Sequence, residues 1–356
     1  MIKKLESFLL KPSVSMHQVM ALIDKNGKGI ALIVDEKRRL LGTVTDGDIR
    51  RAILARMDLE KPVSELLARK VNSPYPKPLA APVGTDRLTL LQMMKEHGVR
   101  HIPLLDTNGC VADLVTLDDL LPDQVVSMQA VIMAGGLGKR LLPLTEDTPK
   151  PMLPVGGKPL MERIIEQLRG SGINRINIST YYKAEKIINY FGDGSRFGVK
   201  LNYINENQPL GTAGALGLIE GVEGPLLVIN GNVISQVNYR AMVAYHQEHK
   251  ADLTVAVSKY DLKVPYGVVE SDGVFIREIL EKPSFSFFVN AGIYLLEPSV
   301  YDYIPKNEHF DMTNLIECLI KARRAVVSFP IVEYWLDIGQ HVDYYKAQED
   351  AEKGRF

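Results

Sequence analysis

Hydrophobic and polar positions follow two periods along this chain, one typical of strands and one typical of helices. Short apolar runs with branched side chains have the length of buried strands, and other segments alternate between apolar and polar residues. The strands predicted in this way cover 30–34, 130–134, 175–180, 201–204 and 225–229. Apolar residues at helical spacing predict helices over 16–26, 158–170 and 183–191. From residue 130 onward, the alternation of strand and helix predicts a largely parallel sheet with crossover helices.

The first 124 residues contain a tandem repeat. Residues 27–49 align with residues 98–120 without a gap, at a constant offset of 71 positions (98 − 27 = 71). Each copy predicts a helix, two strands joined by a turn, and a second helix, and Ser15 is predicted to cap the first helix. The Pro-rich segment 72–84 is predicted to join the copies as an extended linker. The repeat therefore marks a first domain over residues 1–124.

A Gly-rich loop follows the predicted strand 130–134, with the sequence GGLGKR at 135–140. Glycines let the backbone approach a ligand and present its N–H groups to an anion, and the cations of this loop and of Lys150 add positive charge. We therefore predict a polyphosphate site. Leu141 breaks the dinucleotide fingerprint, and Arg140 stands where a Walker A loop needs Ser or Thr. The alternative is a plain turn with surface cations.

Composition narrows the class of protein. Hydrophobic residues make up 46% and charged residues 24%, and the net charge of −1 gives no field that favours nucleic acid or an anionic membrane. The two cysteines, Cys110 and Cys318, have no metal-like spacing. The N-terminal apolar run is too short for a signal-peptide core. We expect a cytoplasmic protein that binds neither nucleic acid nor a membrane.

The Gly-rich stretch resembles the signature of the sugar-phosphate nucleotidyltransferases, and the resemblance continues in the family's order to the C-terminus. The matching motifs are GGLGKR (135–140), PLT (143–145), PKPMLPVGGKPL (149–160), PLGTAG (209–214), NG (230–231), EKP (281–283), NAG (290–292) and WLDIG (335–339). The resemblance implies a Rossmann-like, mostly parallel sheet in an α/β domain over 125–356. It also implies Mg²⁺-dependent transfer of a nucleotidyl group from an NTP to a sugar 1-phosphate, with release of pyrophosphate.

The resemblance implies a role for each matching residue. Arg140 would hold the β- and γ-phosphates, Lys150 would neutralise the α-phosphate, and Lys282 would hold the sugar phosphate. The implied nucleotide-binding residues are Ala134, Gly135, Gly136, Gly138, Lys139, Glu206, Gln208, Gly211, Thr212 and Asn230. The implied sugar-binding residues are Gly267, Glu281 and Asn290. The pattern E-x-x-P-L-G-T-A-G is most similar to guanylyltransferases, which favours GTP.

One position departs from the family. The motif that begins at Asn230 ends in Asn232, where the family has one of two carboxylates that bind Mg²⁺; Asp337 is the other. An amide oxygen carries no charge, and hard divalent cations prefer carboxylates. The departure predicts either an enzyme slowed about 10²–10⁴-fold or a nucleotide-sensing protein that has lost catalysis. A third hypothesis is an interaction scaffold without nucleotide binding.

The N-terminal repeat resembles a tandem pair of CBS domains, an α+β Bateman module. In that family a Thr and an Asp three residues later hold the ribose of an adenine nucleotide, which corresponds here to Thr45 with Asp48 and Thr116 with Asp119. The alternative is that both Asp residues are only acids at helix N-termini. The module either senses a nucleotide or only mediates dimerisation, and we expect a homo-oligomer.

The order of the two domains is itself informative. A CBS pair ahead of such a transferase is similar to the glucosamine-1-phosphate guanylyltransferases of bacterial legionaminic acid synthesis, which favours glucosamine 1-phosphate as the acceptor. His246 and His249 lie in AYHQEHK, which is not a zinc motif, and we predict that they lie on a solvated helix face.

Overall fold

A computed structural model describes residues 5–70, 76–120, 128–219, 221 and 224–356. Its contacts divide the chain into two compact units, Met1–Val125 and Val126–Phe356. None of the helices in these described ranges is long and apolar enough to cross a membrane.

The two sequence repeats fold alike in the first unit. The first copy contains β1 (Leu9–Leu10), α1 (Met16–Asn26), β2 (Ile30–Val34), β3 (Leu40–Thr45), α2 (Asp46–Leu54) and α3 (Val63–Lys70). The second copy contains β4 (Ala81–Pro82), α4 (Arg87–His97), β5 (His101–Leu105), β6 (Val111–Thr116) and α5 (Leu117–Leu120). Adding 71 to the bounds of α1, β2 and β3 gives the bounds of α4, β5 and β6 (16 + 71 = 87). The predicted order of elements is confirmed in both copies.

Each copy builds a three-stranded sheet, in the order β1-β2-β3 and β4-β5-β6. Ala81 and Pro82 pair in parallel with Leu104 and Leu105. The predicted linker 72–84 is therefore too long at its C-terminal end, because these two residues are already part of the second sheet. Its residues 72–75 lie outside the described ranges.

Local sequence fixes the ends of α1. The Ser15 hydroxyl accepts a hydrogen bond from the Gln18 N–H at 3.2 Å, and the Gln18 side chain accepts one from the Ser15 N–H at 3.0 Å. This capping box satisfies two backbone donors that the first turn leaves free, as predicted. The helix ends at Gly27, whose φ of 62° suits glycine and closes the last turn.

The second unit alternates strands and helices. Its strands are β7 (Gln129–Met133), β8 (Pro154–Val155), β9 (Lys158–Pro159), β10 (Arg175–Thr180), β11 (Lys200–Asn205), β12 (Leu226–Asn230), β13 (Val233–Ser235), β14 (Leu253–Lys263), β15 (Val268–Asp272), β16 (Phe275–Leu280), β17 (Ser284–Leu296), β18 (Val326–Pro330) and β19 (Trp335–Asp337). Its helices are α6 (Leu160–Gly170), α7 (Ala184–Phe191), α8 (Gly211–Gly214), α9 (Tyr239–Glu248), α10 (Met312–Lys321) and α11 (His341–Glu352).

Seven strands form the central sheet of this unit, in the order β11-β10-β7-β12-β17-β14-β18. The first four are mutually parallel, whereas β17 runs antiparallel to both β12 and β14. Successive residues of β7 point to opposite faces: Ile132 packs in the same cluster as α6, and Val131 packs in the same cluster as α10. Helices therefore cover both faces of the sheet, and the predicted fold class is confirmed.

Helix α6 shows why these residues fold in this way. Met161, Ile164, Ile165 and Leu168 recur at helical spacing and are buried against the sheet. Burial of each such side chain contributes about 1.5–3 kcal/mol. The helix begins two residues later than predicted, because Lys158–Pro159 pairs with the short strand before it.

Strands β14 and β17 extend beyond the sheet. From Ser258 to Lys263, β14 pairs with β17 over Ser284–Val289, and the β15–β16 hairpin lies between them in sequence. We call residues 258–290 the β-arm. It carries all three sugar-binding candidates and Lys282.

Candidate active site

The candidate site is built where the parallel strands β7 and β12 end side by side. Met133 and Asn230 are register partners, so the Gly-rich loop and the segment 230–232 leave the sheet as neighbours. The Gly231 N–H donates to the Met133 carbonyl at 2.9 Å, and a Cβ at position 231 would lie 2.7 Å from that oxygen. Ligands of open α/β sheets bind at this edge.

Two buried side chains shape the Gly-rich loop from below. A Cβ at Gly135 would lie 2.5 Å from Glu206 Oε1, so a larger residue there would displace that carboxylate. Gly138 has a φ of 65°, and the buried Thr145 hydroxyl donates to its carbonyl at 2.8 Å. Thr145 belongs to the PLT motif, yet sequence reasoning gave it no role in the site.

Of the other nucleotide-binding candidates in this segment, Gly136 and Lys139 are exposed and Ala134 is not. Ala134 is buried, and its N–H donates to the Ser179 carbonyl at 2.8 Å. A Cβ at Gly136 would meet no atom within 4 Å, and Lys139 is exposed. Gly136 and Lys139 are therefore accessible to a ligand.

Glu206 and Gln208 have protein partners. The Glu206 carboxylate accepts from the Ser179 hydroxyl at 2.6 Å and from the Leu210 N–H at 2.9 Å. The exposed Gln208 donates to the Asn307 carbonyl at 3.0 Å. Glu206 thus connects the Gly-rich loop to the second Gly-rich turn.

The second Gly-rich turn packs on the start of α10. Gly211 has a φ of 79°, and a Cβ there would lie 2.7 Å from Asp311 Oδ1. The Thr212 N–H donates to the same oxygen at 3.0 Å, and the Thr212 hydroxyl accepts from the Met312 N–H at 2.8 Å. In this structure the backbone N–H and the hydroxyl of Thr212 are therefore both hydrogen-bonded to the N-terminus of α10.

Asp337 lies at the centre of a charged cluster. Val233 and Asp337 are register partners of β13 and β19, and the Asn232 side-chain amide donates to Asp337 Oδ1. Burial raises the pKa of Asp337, and the charges of Lys150 and Arg140 only partly oppose that rise. The nearby positive charges therefore do not fully offset the effect of burial on this carboxylate.

Lys150 shows the complementary effect. Burial lowers its pKa to about 8, Asp337 opposes that shift, and the charge of Arg140 adds to it. The structure therefore brings Arg140, Lys150, Asn232 and Asp337 together, four residues that the sequence had placed in one site.

Sequence reasoning missed Asp343. Its Oδ2 accepts from the Gly339 N–H at 3.1 Å and from the Gln340 N–H at 2.8 Å, which caps α11. The cap fixes the turn that follows Asp337, and the charge of Asp343 acts on both Asp337 and Lys150. A polar residue with an acid three positions later, at the start of a helical pattern, is a signal that could have found it.

Asn230 lies beside this cluster. Its Oδ1 is buried without a hydrogen-bond partner among the described residues. A Cβ at Gly292, whose φ is 71°, would lie 2.6 Å from Asn230 Nδ2, so glycine is required there.

These donors bear on whether a divalent cation fits the site. The described part of the chain contains no group of three His, Cys, Asp or Glu residues that could hold a metal. Mg²⁺, however, is commonly bound through one or two carboxylates together with substrate phosphates. Asp337 and the Asn232 amide oxygen fit that mode, with the substrate completing the coordination.

The sugar-binding candidates lie on the β-arm. Glu281 and Lys282 are about three-quarters exposed, and their charged atoms are 3.9 Å apart. A Cβ at Gly267 would lie 3.4 Å from the Glu281 carboxylate, whereas Asn290 accepts from the Gly292 N–H at 3.0 Å. Gly267, Glu281 and Lys282 therefore form one group, and none of the described contacts joins this group to Asp337.

Comparison with known proteins identifies the second unit. The nucleotidyl transferase family model matches residues 129–354. The chain belongs to the nucleotidyl transferase family. The model of the CBS domain matches residues 3–55 and 68–122, one match for each repeat. We therefore call Val126–Phe356 the nucleotidyltransferase unit and Met1–Val125 the CBS unit.

Individual relatives resemble the nucleotidyltransferase unit. Mannose-1-phosphate guanylyltransferase 1 of Arabidopsis thaliana is 34% identical over 234 residues, which are 61% of this chain and 63% of that protein. The structure of HddC from Yersinia pseudotuberculosis complexed with GMP-PN aligns with a TM-score of 0.50 and 32% identity, over 62% of this chain and 98% of that one. A Bacillus anthracis structure assigned as a glucose-1-phosphate thymidylyltransferase aligns with a TM-score of 0.52 and 30% identity, over 63% of this chain and 95% of that one.

In the first candidate pair of the CBS unit, Asp48 is buried and Thr45 is partly buried. Thr45 and Asp48 form a capping box at α2, in which the Thr45 N–H donates to Asp48 Oδ2 at 2.9 Å. Lys70 and Arg51 each donate to the Asp48 carboxylate at 2.7 Å, and only 5% of that side chain is exposed. Burial raises the pKa of Asp48, but Lys70, Thr45 and Arg51 outweigh it, so the pKa is lowered.

The second candidate pair has the same local geometry in a different environment. The Thr116 N–H donates to Asp119 Oδ2 at 3.0 Å, and Lys28 lies 3.3 Å from the other carboxylate oxygen. The Asp119 side chain is 44% exposed, against 5% for Asp48. Both pairs act as helix caps, and Asp119 is the carboxylate that a ligand could reach.

The prediction for His246 is wrong. His246 does not lie on a solvated face: it is 1% exposed, with Nδ1 2.8 Å from the Thr254 hydroxyl and Nε2 3.1 Å from Glu297. Burial lowers its pKa. His249 is partly buried and stacks on Tyr245, with ring centroids 4.1 Å apart.

Proposed function

We propose that the nucleotidyltransferase unit transfers a nucleotidyl group from an NTP to a sugar 1-phosphate, with release of pyrophosphate. GTP is the favoured donor and glucosamine 1-phosphate the favoured acceptor. The observation that carries the proposal is the cluster of Arg140, Lys150 and Asp337 beside the Gly-rich loop.

In the proposed reaction, the acceptor's phosphate oxygen attacks the α-phosphorus in line and the bond to pyrophosphate breaks. The protein contributes positioning and neutralisation of charge. Arg140 binds the β- and γ-phosphates, Lys150 neutralises the α-phosphate, and Lys282 on the β-arm binds the sugar phosphate. Mg²⁺ at Asp337 and Asn232 would neutralise further phosphate charge when bound.

The choice of base and sugar has separate support. Relatives named as guanylyltransferases and the GMP-PN complex of HddC favour GTP, whereas the Bacillus anthracis neighbour keeps thymidylyl transfer as the competing choice. Glucosamine 1-phosphate, and with it a place in legionaminic acid synthesis, rests on the CBS fusion. The chain spans 63% of the length of the curated relative, so its whole activity remains a proposal.

A second candidate function is a nucleotide sensor without turnover. It is favoured by Asn232, whose amide, in place of a second carboxylate, hydrogen-bonds to Asp337.

If the chain does turn over, an adenine nucleotide bound in the CBS unit, at Thr116 and Asp119 or at Thr45 and Asp48, would regulate the transferase. Substituting the Asp of the pair that binds, Asp48 or Asp119, should then abolish the effect of AMP or ATP on turnover, and a parent protein without such an effect excludes this regulation.

The deciding experiment measures pyrophosphate release with Mg²⁺ for the parent and Asn232→Asp side by side, over four NTPs and a panel of sugar 1-phosphates. We expect the Asp variant to be faster by about 10²–10⁴-fold, equivalent to about 2.7–5.5 kcal/mol of barrier. Equal rates mean that Asp337 and the phosphates suffice for the cation. If neither protein turns over although nucleotide raises the unfolding temperature, the sensor is correct; a scaffold shows neither effect.

A further inference from the structure

Arg140 lies in a helical turn that is too short to be stable by itself. Lys139–Leu141 forms a single turn of 3₁₀ helix, in which the Leu141 N–H donates to the Gly138 carbonyl at 2.9 Å and the Leu142 N–H donates to the Lys139 carbonyl at 3.4 Å. We call Gly138–Leu142 the Arg140 turn. So short a segment gains too few hydrogen bonds to offset the cost of ordering its backbone. The orientation of Arg140 therefore depends on contacts from outside the turn.

The guanidinium of Arg140 has no partner that holds it in place. The residue is exposed, and in the described part of the chain its side chain makes no hydrogen bond or ion pair. A Cβ at Gly339 would lie 3.9 Å from Arg140 Nη1 and 3.9 Å from Asp337 Oδ1, so the guanidinium lies over the turn that leads into α11. Beside it is an open cavity of about 380 Å³, which is also lined by Gln340, His341 and Val342. A guanidinium whose donors remain free at a cavity is suited to bind an anion.

Two side chains bind the carbonyl groups at the two ends of the Arg140 turn. The Thr145 hydroxyl donates to the Gly138 carbonyl at 2.8 Å, and Nε2 of His341 lies 2.8 Å from the Leu142 carbonyl oxygen. A carbonyl oxygen only accepts, so Nε2 of His341 carries the hydrogen and donates it. Thr145 is local to the turn, whereas His341 is the first residue of α11 and lies 199 positions after Leu142.

Apolar packing joins α11 to the same turn. Leu141 is 1% exposed and packs in one cluster with Tyr344 and Ala347 of α11. The start of α11 is fixed as well, because Asp343 Oδ2 accepts from the Gln340 N–H at 2.8 Å. His341 therefore donates its hydrogen bond from a rigid position, and the bond fixes the end of the Arg140 turn.

We propose that His341 is a positioning residue, which orients Arg140 toward the terminal phosphates of the nucleotide through its hydrogen bond to Leu142. The inference rests on the proposed function, in which Arg140 binds the β- and γ-phosphates. It predicts which ligands respond to the loss of His341. A nucleoside triphosphate reaches Arg140, whereas a nucleoside monophosphate lacks the groups that Arg140 binds. A role of His341 in stability alone predicts no difference between the two ligands.

Calorimetric titration of the full chain with GTP and with GMP tests the proposal, at constant Mg²⁺ and without a sugar 1-phosphate. Both ligands share the base, the ribose and the α-phosphate. The parent should bind GTP more tightly than GMP, and Arg140→Ala should remove that preference. We expect His341→Ala to weaken the binding of GTP by about tenfold and to leave the affinity for GMP unchanged.

Three further variants separate the hydrogen bond from the packing of the ring. His341→Gln places an amide N–H near the position of Nε2 and should restore the affinity for GTP. His341→Phe keeps a ring but has no donor, so it should reproduce the loss without leaving a space. Val342→Ala is the matched control, because Val342 lines the same cavity and is 68% exposed. The control should bind both ligands like the parent.

The other outcomes contradict different parts of the argument. A parent without the preference for GTP, or an Arg140→Ala variant that keeps it, overturns the proposed role of Arg140 and the inference with it. If Arg140→Ala removes the preference but His341→Ala and His341→Phe keep it, only the role of His341 is wrong. Equal weakening of GTP and GMP by these two variants would mean that His341 only stabilises the fold, which also overturns the inference.

Discussion

The two units shift the pKa of an acidic side chain in opposite directions. In the CBS unit, Lys70 and Arg51 surround Asp48, and the pKa of that carboxyl is lowered. In the nucleotidyltransferase unit, burial shifts Asp337 and Lys150 toward their neutral forms, raising the pKa of the acid and lowering that of the amine. The first arrangement stabilises a fold, whereas the second leaves charges that a ligand can compensate.

This contrast separates structural from functional acids better than burial does. Asp48 is buried and Asp337 is partly buried, and the partners of Asp48 already balance its charge. Asp337 has an amide from Asn232 where a second charged group is expected. A bound nucleotide with its cation would supply what Asp337 lacks.

The largest expected effect is on turnover. Asp337→Asn should lower pyrophosphate release by about 10²–10⁴-fold, because it removes the carboxylate that is proposed to hold Mg²⁺. The unfolding temperature should not fall, since burial disfavours the charged form. A loss of stability as large as that of Asp48→Asn would show that Asp337 is structural, and the contrast would fail.

The next effect is on stability. Asp48→Asn should lower the free energy of unfolding of the CBS unit by about 2–4 kcal/mol, because Lys70 and the partly exposed Arg51 lose their partner. Asp119→Asn is the matched control: its side chain is 44% exposed, and we expect at most about 1 kcal/mol. Denaturant unfolding measures both variants, and equal losses would contradict the difference between the two copies.

The lowered pKa of Asp48 also predicts how the stability of the CBS unit changes at acidic pH. Because the pKa of Asp48 is lower in the folded state, the unfolded state binds its proton first as the pH falls. Its contribution is therefore complete above about pH 4 and is lost as the pH falls through the folded-state value. Asp48→Asn should flatten this acid limb of the unfolding curve.

The smallest effect is a pH dependence of catalysis. The pKa of Lys150 is lowered to about 8, so its positive charge is lost as the pH rises through that value. We expect kcat/KM to fall about tenfold per pH unit above it. Lys150→Arg, which stays charged, should remove this alkaline limb whatever its absolute rate. A parent profile that is flat to pH 10 would mean that Lys150 keeps its proton.

Much of the site could be predicted from sequence because motif order and strand order coincide. The Gly-rich loop and the segment 230–232 each follow an apolar strand, and parallel strands bring such ends together. Thr145 escaped because it acts through a hydrogen bond to the backbone of a loop, which residue type alone does not reveal, whereas the spacing of Gln340 and Asp343 could have revealed the cap.

The sequence by itself determined the repeat, the alternation of strands and helices, and the set of charged residues around the Gly-rich loop. These follow from local periodicity and from motifs read along the chain. Only the tertiary structure decided that the Asp48 carboxylate is buried and bound by cationic side chains, whereas Asp119 is accessible to a ligand. The tertiary structure also decided that His246 is buried and that the β-arm extends beyond the sheet. The identical Thr-x-x-Asp pattern has two environments because Lys70 contacts Asp48 and Lys28 contacts Asp119, each from an element distant in sequence. Glu297 reaches His246 in the same way, and such contacts depend on packing.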